Sequence, residues 1–548
     1  MALSSLAIEH FLDKPMPAMP EFKHAETKAL NRTIYDSTGQ FLEPVTEPRQ
    51  YQLEGLAFAL YMRRSLLLYD MRLGKSMMAL AWAQHLKRTN LWRKGKGIVF
   101  AHSPLGLQVW ATEARKHSTF NIQIVHTDPA DFVKGITDPS VDLIVLPVSG
   151  AQELFTVWGT NKRDKAKRKL YPNLPLIADI AEDFELAIFD EIHMFKDHQS
   201  LRFQIAAALT EHCQFRLGLT GTPFGRDPYA LWAQCFLIDR GKTLGHNYYF
   251  FEIAFGNKKK NYFSGRTEYI FDKRKLPKLE YKLSSLAMSY RREEVADQTV
   301  WEDVVELHMY GDQLEAYHDV INKLIKLPSG ENAAILSTFH RLRQVSAGYL
   351  PFDDDEDERH IIHFKANPKL EWLTELVEAK PDVQIVIFHE YTHTGKLITD
   401  MLTKRKATFG WLYGGVTTLA KSNAIVSDFQ QGRTQYLVAN SVKGGLSIDL
   451  PQADYLIFYE SPVSPITRQQ AQARPMARGT RPLMIDDLTA SPVDRRILDF
   501  LKEGRDILRS LTSERRRFRT PATHPSSPPL PIPRPAPRRR LAHPGAPR

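Results

Sequence analysis

Two groups of short apolar runs constrain this chain more than any other feature. Between residues 49 and 225 stand "SLLLYDM", "GIVFAHSP", "DLIVLPVS", "ELAIFDE" and "RLGLTGTP". Between residues 383 and 488 stand "QIVIFHEY", "FGWLYGG", "QYLVANS", "DYLIFYES" and "RPLMIDDL". Each run is bounded by turn or polar residues and separated from the next by a helical stretch. Such runs read as strands buried on both faces, the pattern of a parallel sheet covered by helices. Two sets predict an α/β fold with two parallel-sheet lobes, and 548 residues are too many for one core.

The intervening stretch is richer in aromatics and helical patterns, with a basic "GNKKKNYF" and an acidic "PFDDDEDE". The expected divisions are an N-terminal extension over 1–44, a first lobe over 45–240, helical insertions and a linker over 241–380, a second lobe over 381–512 and a tail over 513–548. The tail is rich in Pro and Arg with almost no apolar periodicity, and is expected to be disordered.

The remaining composition excludes several classes. Apolar residues make up 43% and charged residues 25%, as in ordinary globular proteins. No uncharged apolar run reaches spanning length. The N-terminus has no basic start and carries Glu9 and Asp13, so it does not read as a secretory signal. Cys213 and Cys235 are too few for a disulfide framework or a cysteine-rich zinc site, and a reducing, cytoplasmic compartment is expected. The net charge is +10, but the tail holds nine arginines against one glutamate, +8, which leaves about +2 for everything before it. Any polyanion groove must therefore come from local arrangement.

The stretch "YDMRLGKSMMAL", Tyr69 to Leu80, joins a strand-like run to a helix-like one through Gly-Lys-Ser. A strand, a short loop and a helix N-terminus present backbone N–H groups and a positive dipole end to phosphate oxygens. Lys75 would reach the outer phosphates, and the Ser76 hydroxyl would take a place on Mg²⁺. "LAIFDEIHMFKD" supplies the second element: Asp190 and Glu191 end an apolar strand, at the sheet edge where ligands bind in open parallel sheets. Asp190 would hold the metal and Glu191 would orient or deprotonate an attacking water.

With those residues in place, "DEIH" and "LGLTGTPF" resemble the second and third motifs of superfamily-two helicases. "EPRQYQLEGLAFAL" is similar to the segment that precedes the phosphate loop in the Swi/Snf branch. "YDMRLGKS" aligns without gaps with that branch's Asp-Glu-Met-Gly-Leu-Gly-Lys-Thr, and differs by Arg72 in place of a glycine. "VQIVIFHEYTHTGKLI", "YLVANSVKGGLSIDLPQADYLIFYE" and "SPITRQQAQARPMARGTRP" resemble motifs four to six, and "SYRREEV", "HRLRQVSAGY" and "SPVDRRILDFLKEGRDIL" resemble further segments of the branch. The resemblance covers roughly residues 45 to 510.

It implies two RecA-like lobes and a DNA-dependent ATPase that translocates on DNA, a sequence-tolerant and duplex-preferring partner. ATP and Mg²⁺ are the implied cofactors. Gln52 would read the adenine edge, with Arg49 holding the same segment. Met71, Arg72, Leu73 and Gly74 would complete the phosphate loop, and Asp449 would sit near the ribose. Arg474 and Arg478 are candidate arginine fingers; they stand four apart rather than three, with Pro475 between, which favours Arg474 and leaves Arg468 as a third candidate. His193, Thr220, Gly221 and Thr222 would couple the nucleotide to the nucleic-acid face. Ser103, Pro104, Ser441, Gly444 and Gly445 fall in the expected contact loops. The alternatives are a strand-separating DNA or RNA helicase and an ATP-switched DNA-binding protein with slow turnover.

Overall fold

Every run in both sets is a strand in the computed structural model, which describes residues 5–38, 45–160, 168–225, 227–260, 267–295, 298–325, 332–353, 359–416, 419–441, 450–476 and 482–512. The first lobe begins with β1 (Arg64–Tyr69), β2 (Lys96–Ala101), β3 (Ile122–Ile124) and β4 (Leu143–Pro147). A hairpin of β5 (Thr156–Thr160) and β6 (Arg168–Pro172) follows, then β7 (Phe184–Asp190) and β8 (Phe215–Leu219). A second hairpin, β9 (Gly256–Lys260) and β10 (Thr267–Phe271), precedes β11 (Ala287–Tyr290). Outside the hairpins these strands form one parallel sheet in the order β11-β1-β8-β7-β2-β4-β3.

The second lobe opens with β12 (Val300–Glu306) and a hairpin of β13 (Tyr349–Asp353) and β14 (Arg359–His363). Then come β15 (Ile385–His389), β16 (Phe409–Leu412), β17 (Tyr436–Asn440), β18 (Tyr455–Phe458) and β19 (Leu483–Thr489). Its parallel sheet runs β12-β19-β18-β15-β17-β16. The stretch 241–380 thus gives an edge strand to each sheet besides its helices. Neither edge strand has an apolar run: β12 is mostly exposed, as an edge strand can be.

The period of two along each strand fills both faces of the first sheet. Leu66 and Leu68 cluster with Phe100 and Phe189 on one face, while Leu67 and Tyr69 join Trp82 and Trp110 on the other. The rings of Phe100 and Phe189 stack with centroids 5.2 Å apart. Helix Lys75–Arg88 is buried almost all round, which explains its lack of a polar stripe; its Trp82 Nε1 donates to the Ala59 carbonyl at 3.2 Å.

From the second lobe, helix Pro492–Thr512 returns to pack on helix Leu276–Leu283 of the first. Cys213 and Cys235 are free and buried, and burial pushes the Cys213 thiol up to about 12. Among the described residues no helix is long and apolar enough to cross a membrane. The tail expected to be disordered, 513–548, lies outside the described residues.

Candidate functional site

Strand order assembles the site. Strands β1, β8 and β7 are neighbours, and Leu219 pairs with Leu67 on one side and Asp190 on the other. The segments that leave their C-terminal ends, "YDMRLGKS", "TGTP" and "DEIH", are therefore placed side by side. Gly221 sits so near the loop after β1 that a Cβ there would lie 3.0 Å from the Tyr69 carbonyl oxygen and 3.2 Å from the Met71 nitrogen. A side chain at 221 would push the two segments apart.

The loop after β1 turns through two left-handed residues, Arg72 at φ 67° and Gly74 at φ 81°. Gly74 opens helix Lys75–Arg88 without a side-chain cap, so the first helical N–H groups remain available to a ligand's oxygens. Ser76, half-buried, is the second helical residue, and Leu73 is buried. Lys75 is buried, and its Nζ donates to the carbonyls of Tyr69 at 2.9 Å and Asp70 at 3.2 Å. Gln52, expected at an adenine edge, here uses both ends of its amide within the protein. Its Nε2 donates to the Leu73 carbonyl at 2.9 Å, and its Oε1 accepts the Arg49 N–H at 2.9 Å. A Cβ on Gly74 would come within 2.3 Å of that amide nitrogen. Beside this strap, His24, Arg49, Tyr51, Glu54 and Tyr290 line an open cleft of about 750 Å³.

The two carboxylates differ in environment. Burial and the neighbouring Glu191 charge raise the pKa of Asp190, against His102, the Trp110 hydrogen bond and Lys75. That bond runs from Trp110 Nε1 to Asp190 Oδ2 at 3.0 Å. Glu191 is half-buried, but hydrogen bonding to His193 and the charge of Lys75 outweigh its desolvation and lower its pKa, so it stays ionised. Its Oε2 accepts the Thr220 hydroxyl at 2.9 Å and lies 3.2 Å from His193 Nδ1. His193 Nδ1 is also 3.1 Å from Thr220 Oγ1, which accepts the Thr222 N–H at 3.0 Å. Of the four residues named as a coupling group, His193, Thr220 and Thr222 thus join Glu191 in one hydrogen-bonded network, and Gly221 lies between the two threonines. Glu191 itself holds a left-handed backbone, φ 49°.

Between the lobes, Asp70, Met71 and Thr222 face Gln469, Gln472 and Met476 across a cleft of about 530 Å³. Arg468, one of three candidate fingers, is not directed there. The residue is 3% exposed; its guanidinium pairs with both oxygens of Asp487 and lies over the Phe458 ring, 3.5 Å from the centroid. Arg474 is half-buried just after helix Pro465–Gln472, and its carbonyl accepts the Leu450 N–H at 3.0 Å. Arg478, Gly444, Gly445 and Asp449 lie outside the described residues.

Of the expected nucleic-acid loops, Ser103 caps helix Pro104–His117 by accepting the Gly106 N–H at 3.3 Å, and Pro104 opens that helix. Ser441 is fully buried at the end of β17. Trp110, from the same helix as Pro104, is the functional neighbour that the sequence reading missed. Only the packing of that helix on β2, β3 and β4, beside β7 in the sheet, brings its indole to Asp190.

Residues 368–479 match the helicase conserved C-terminal domain. The chain resembles Swi/Snf-type helicase-like proteins. It is 24% identical over 488 residues to the CHD3-type chromatin-remodeling factor CHR7 of Arabidopsis thaliana, covering 85% of this chain and 37% of the relative. It is 30% identical over 133 residues to the human chromatin-remodeling ATPase INO80, covering 24% of this chain and 8% of the relative. This Swi/Snf-like chain therefore spans well under half the length of either. A solved Sulfolobus solfataricus SWI2/SNF2 ATPase core in complex with dsDNA is 20% identical, with a TM-score of 0.39 over 85% of this chain and 94% of that one.

Proposed function

We propose that this chain is an ATP-hydrolysing motor that translocates on duplex DNA without reading its sequence. The observation that carries the ATPase reading is the meeting of Lys75, the Asp190–Glu191 pair and Thr220 on three adjacent strand ends, opposite the 465–476 segment of the second lobe. Lys75, released from the Tyr69 and Asp70 carbonyls, would donate to the outer phosphates, joined by the first N–H groups of its helix. Ser76 and Asp190 would hold Mg²⁺, which when bound offsets charge on the phosphates. Among the described residues no group of three or more His, Cys, Asp or Glu is placed to hold a metal, so the ion would take its remaining ligands from phosphate and water, as magnesium commonly does.

Glu191, kept ionised, would orient the attacking water and take its proton. Its link through Thr220 to Thr222 gives a change at the phosphates a path into the turn after β8. Arg474 is the proposed finger from the second lobe, because Arg468 is committed to Asp487. Ser103, Pro104, Gly444 and Gly445 are proposed to lie along the DNA path, while Ser441, fully buried, is set aside from it. Contacts there would be to phosphates, which position without specifying sequence. The DNA reading rests on the motif resemblance and on the chromatin-remodeling relatives.

The test is steady-state ATP hydrolysis by the full chain with no nucleic acid, duplex DNA, single-stranded DNA or RNA. Duplex DNA is expected to stimulate turnover by about tenfold or more, and Lys75→Ala should abolish it, as loss of a main phosphate ligand implies. Stimulation by single strands or RNA alone would make it a strand-separating helicase. Absence of stimulation, with ATP still altering DNA affinity, would make it a nucleotide switch.

A further inference from the structure

Arg72 occupies a left-handed backbone position, φ 67°, which glycine adopts freely and a side-chain-bearing residue adopts only against steric resistance. It stands where the Swi/Snf-type loop has glycine. Something must offset the strain, and the side chain shows what. The Arg72 guanidinium reaches across to the second lobe. Its Nη1 donates to the main-chain carbonyl of Met476, 404 residues along the chain and in the other lobe. Met476 follows the proposed finger Arg474 by two residues, and both belong to the segment that leaves helix Pro465–Gln472. A guanidinium hydrogen bond to a carbonyl is charge-assisted and stronger than a neutral one. It is half-buried, and Met476 with Met71 lines a cleft whose walls come from both lobes. A glycine could not make it.

We infer that Arg72 is a positioning residue: a tie between the phosphate loop and the finger-bearing segment that sets how the lobes stand relative to each other. The inference rests on the ATPase reading for its functional consequence, but the tie itself does not. With Arg72 in place the Met476 segment is held at a fixed reach from the loop carrying Lys75. Without it, the two sides of the cleft are joined less tightly, and the finger must find its place by diffusion of the whole lobe. Turnover then falls while nucleotide affinity, set by Gly74, Lys75 and Ser76, does not.

The two native cysteines are buried, so labels placed at exposed positions report alone. Lys116→Cys on the first lobe and Lys404→Cys on the second are both exposed sites. The experiment measures the spin-label distance distribution between them, without nucleotide, in the full chain carrying Arg72, Arg72→Gly or Arg72→Lys. Melting temperature, affinity for a fluorescent ADP analogue and the KM and kcat for ATP are measured on the same proteins. Arg72→Gly is expected to broaden the distance distribution clearly, to leave the melting temperature unchanged or raised, and to hold ADP affinity and KM within about twofold while kcat falls several-fold. Arg72→Lys, which keeps a donor, should fall between. An unchanged distribution in Arg72→Gly would overturn the tie. So would a loss of ADP affinity of about tenfold with the distances intact, since Arg72 would then be a phosphate ligand. Failure of all variants to bind ADP would sink the ATPase reading, and the distances would still decide the tie.

Discussion

Asp190 is the residue on which the proposed metal chemistry turns, and an indole is one of the groups that set its state. The Trp110 N–H donates to it at 3.0 Å and works against the burial that raises its pKa. Trp110→Phe keeps most of the buried ring but removes that donor. A buried acceptor stripped of its partner costs about 1–3 kcal/mol, and here the cost falls on the ionised form that would bind Mg²⁺. The expected result is a Mg²⁺ requirement raised by about tenfold, the equivalent of 1.4 kcal/mol, with turnover at saturating Mg²⁺ near that of the parent. Magnesium titration of hydrolysis at fixed ATP decides it, and an unmoved titration would remove Trp110 from the site. Nothing in "SPLGLQVW" announces this contact, because it exists only once the helix packs on β2, β3 and β4 and the sheet places β7 alongside. Gln52 shows the same limit: an amide beside a phosphate loop suits a base edge and a loop strap equally, and only coordinates show it spanning Arg49 and Leu73.

At the scale of the element, β18 and the helix after it are held by two buried ionisable arrangements of different kinds. Arg468 is locked to Asp487 and Ser461 beneath the surface of the second lobe. Breaking a buried pair by removing one partner typically costs about 3–5 kcal/mol. Arg468→Met should therefore lower the melting temperature by several degrees, and Arg468→Met with Asp487→Leu should recover much of it. An arginine finger would behave in the opposite way, losing turnover with the melting temperature intact. Glu460, two residues past the end of β18, is raised by burial to about 7 despite Arg343. It accepts the N–H groups of Glu390 at 2.9 Å and Tyr391 at 3.4 Å. Its folded pKa lies above the unfolded one near 4.5, so the folded state holds the proton longer. The associated stability is complete below the unfolded pKa and is lost as pH rises through about 7, on the order of 3 kcal/mol. Melting temperatures at pH 5 and 8 should differ less in Glu460→Gln than in the parent; equal differences would mean that Glu460 is ionised throughout.

These elements also show what a sequence reveals. Runs such as "LIVLP" and "YLIF" are legible because strands buried on both faces must be continuously apolar. Strand β12, "VWEDVVE", is not, since an edge strand with one open side carries charge without penalty. The three adjacent strand ends that assemble the site follow from sheet order, which no single run encodes.

For the whole molecule, charge is the property that divides the chain. The net +10 is almost all in residues 513–548, at +8, so the two lobes together are close to neutral. A protein that releases counterions from DNA loses affinity with salt at a slope of about 0.9 per phosphate neutralised. If the lobes grip duplex DNA through local hydroxyls, amides and a few cations, their own slope is small, and the tail's arginines add a sequence-independent, salt-sensitive part. Residues 1–512 alone should keep the DNA-stimulated kcat, because Lys75, Glu191 and Arg474 are all retained. Their slope of log affinity against log salt should be shallower than that of the full chain by three or more, a limit well below the roughly eight that nine engaged arginines would give. Binding isotherms between about 50 and 200 mM salt, a range over which such contacts change affinity by orders of magnitude, measure both slopes. Equal slopes would place the DNA grip wholly within the lobes. A lost kcat would mean instead that the tail acts on the catalytic cycle itself, which no contact between charged side chains and phosphates alone would require.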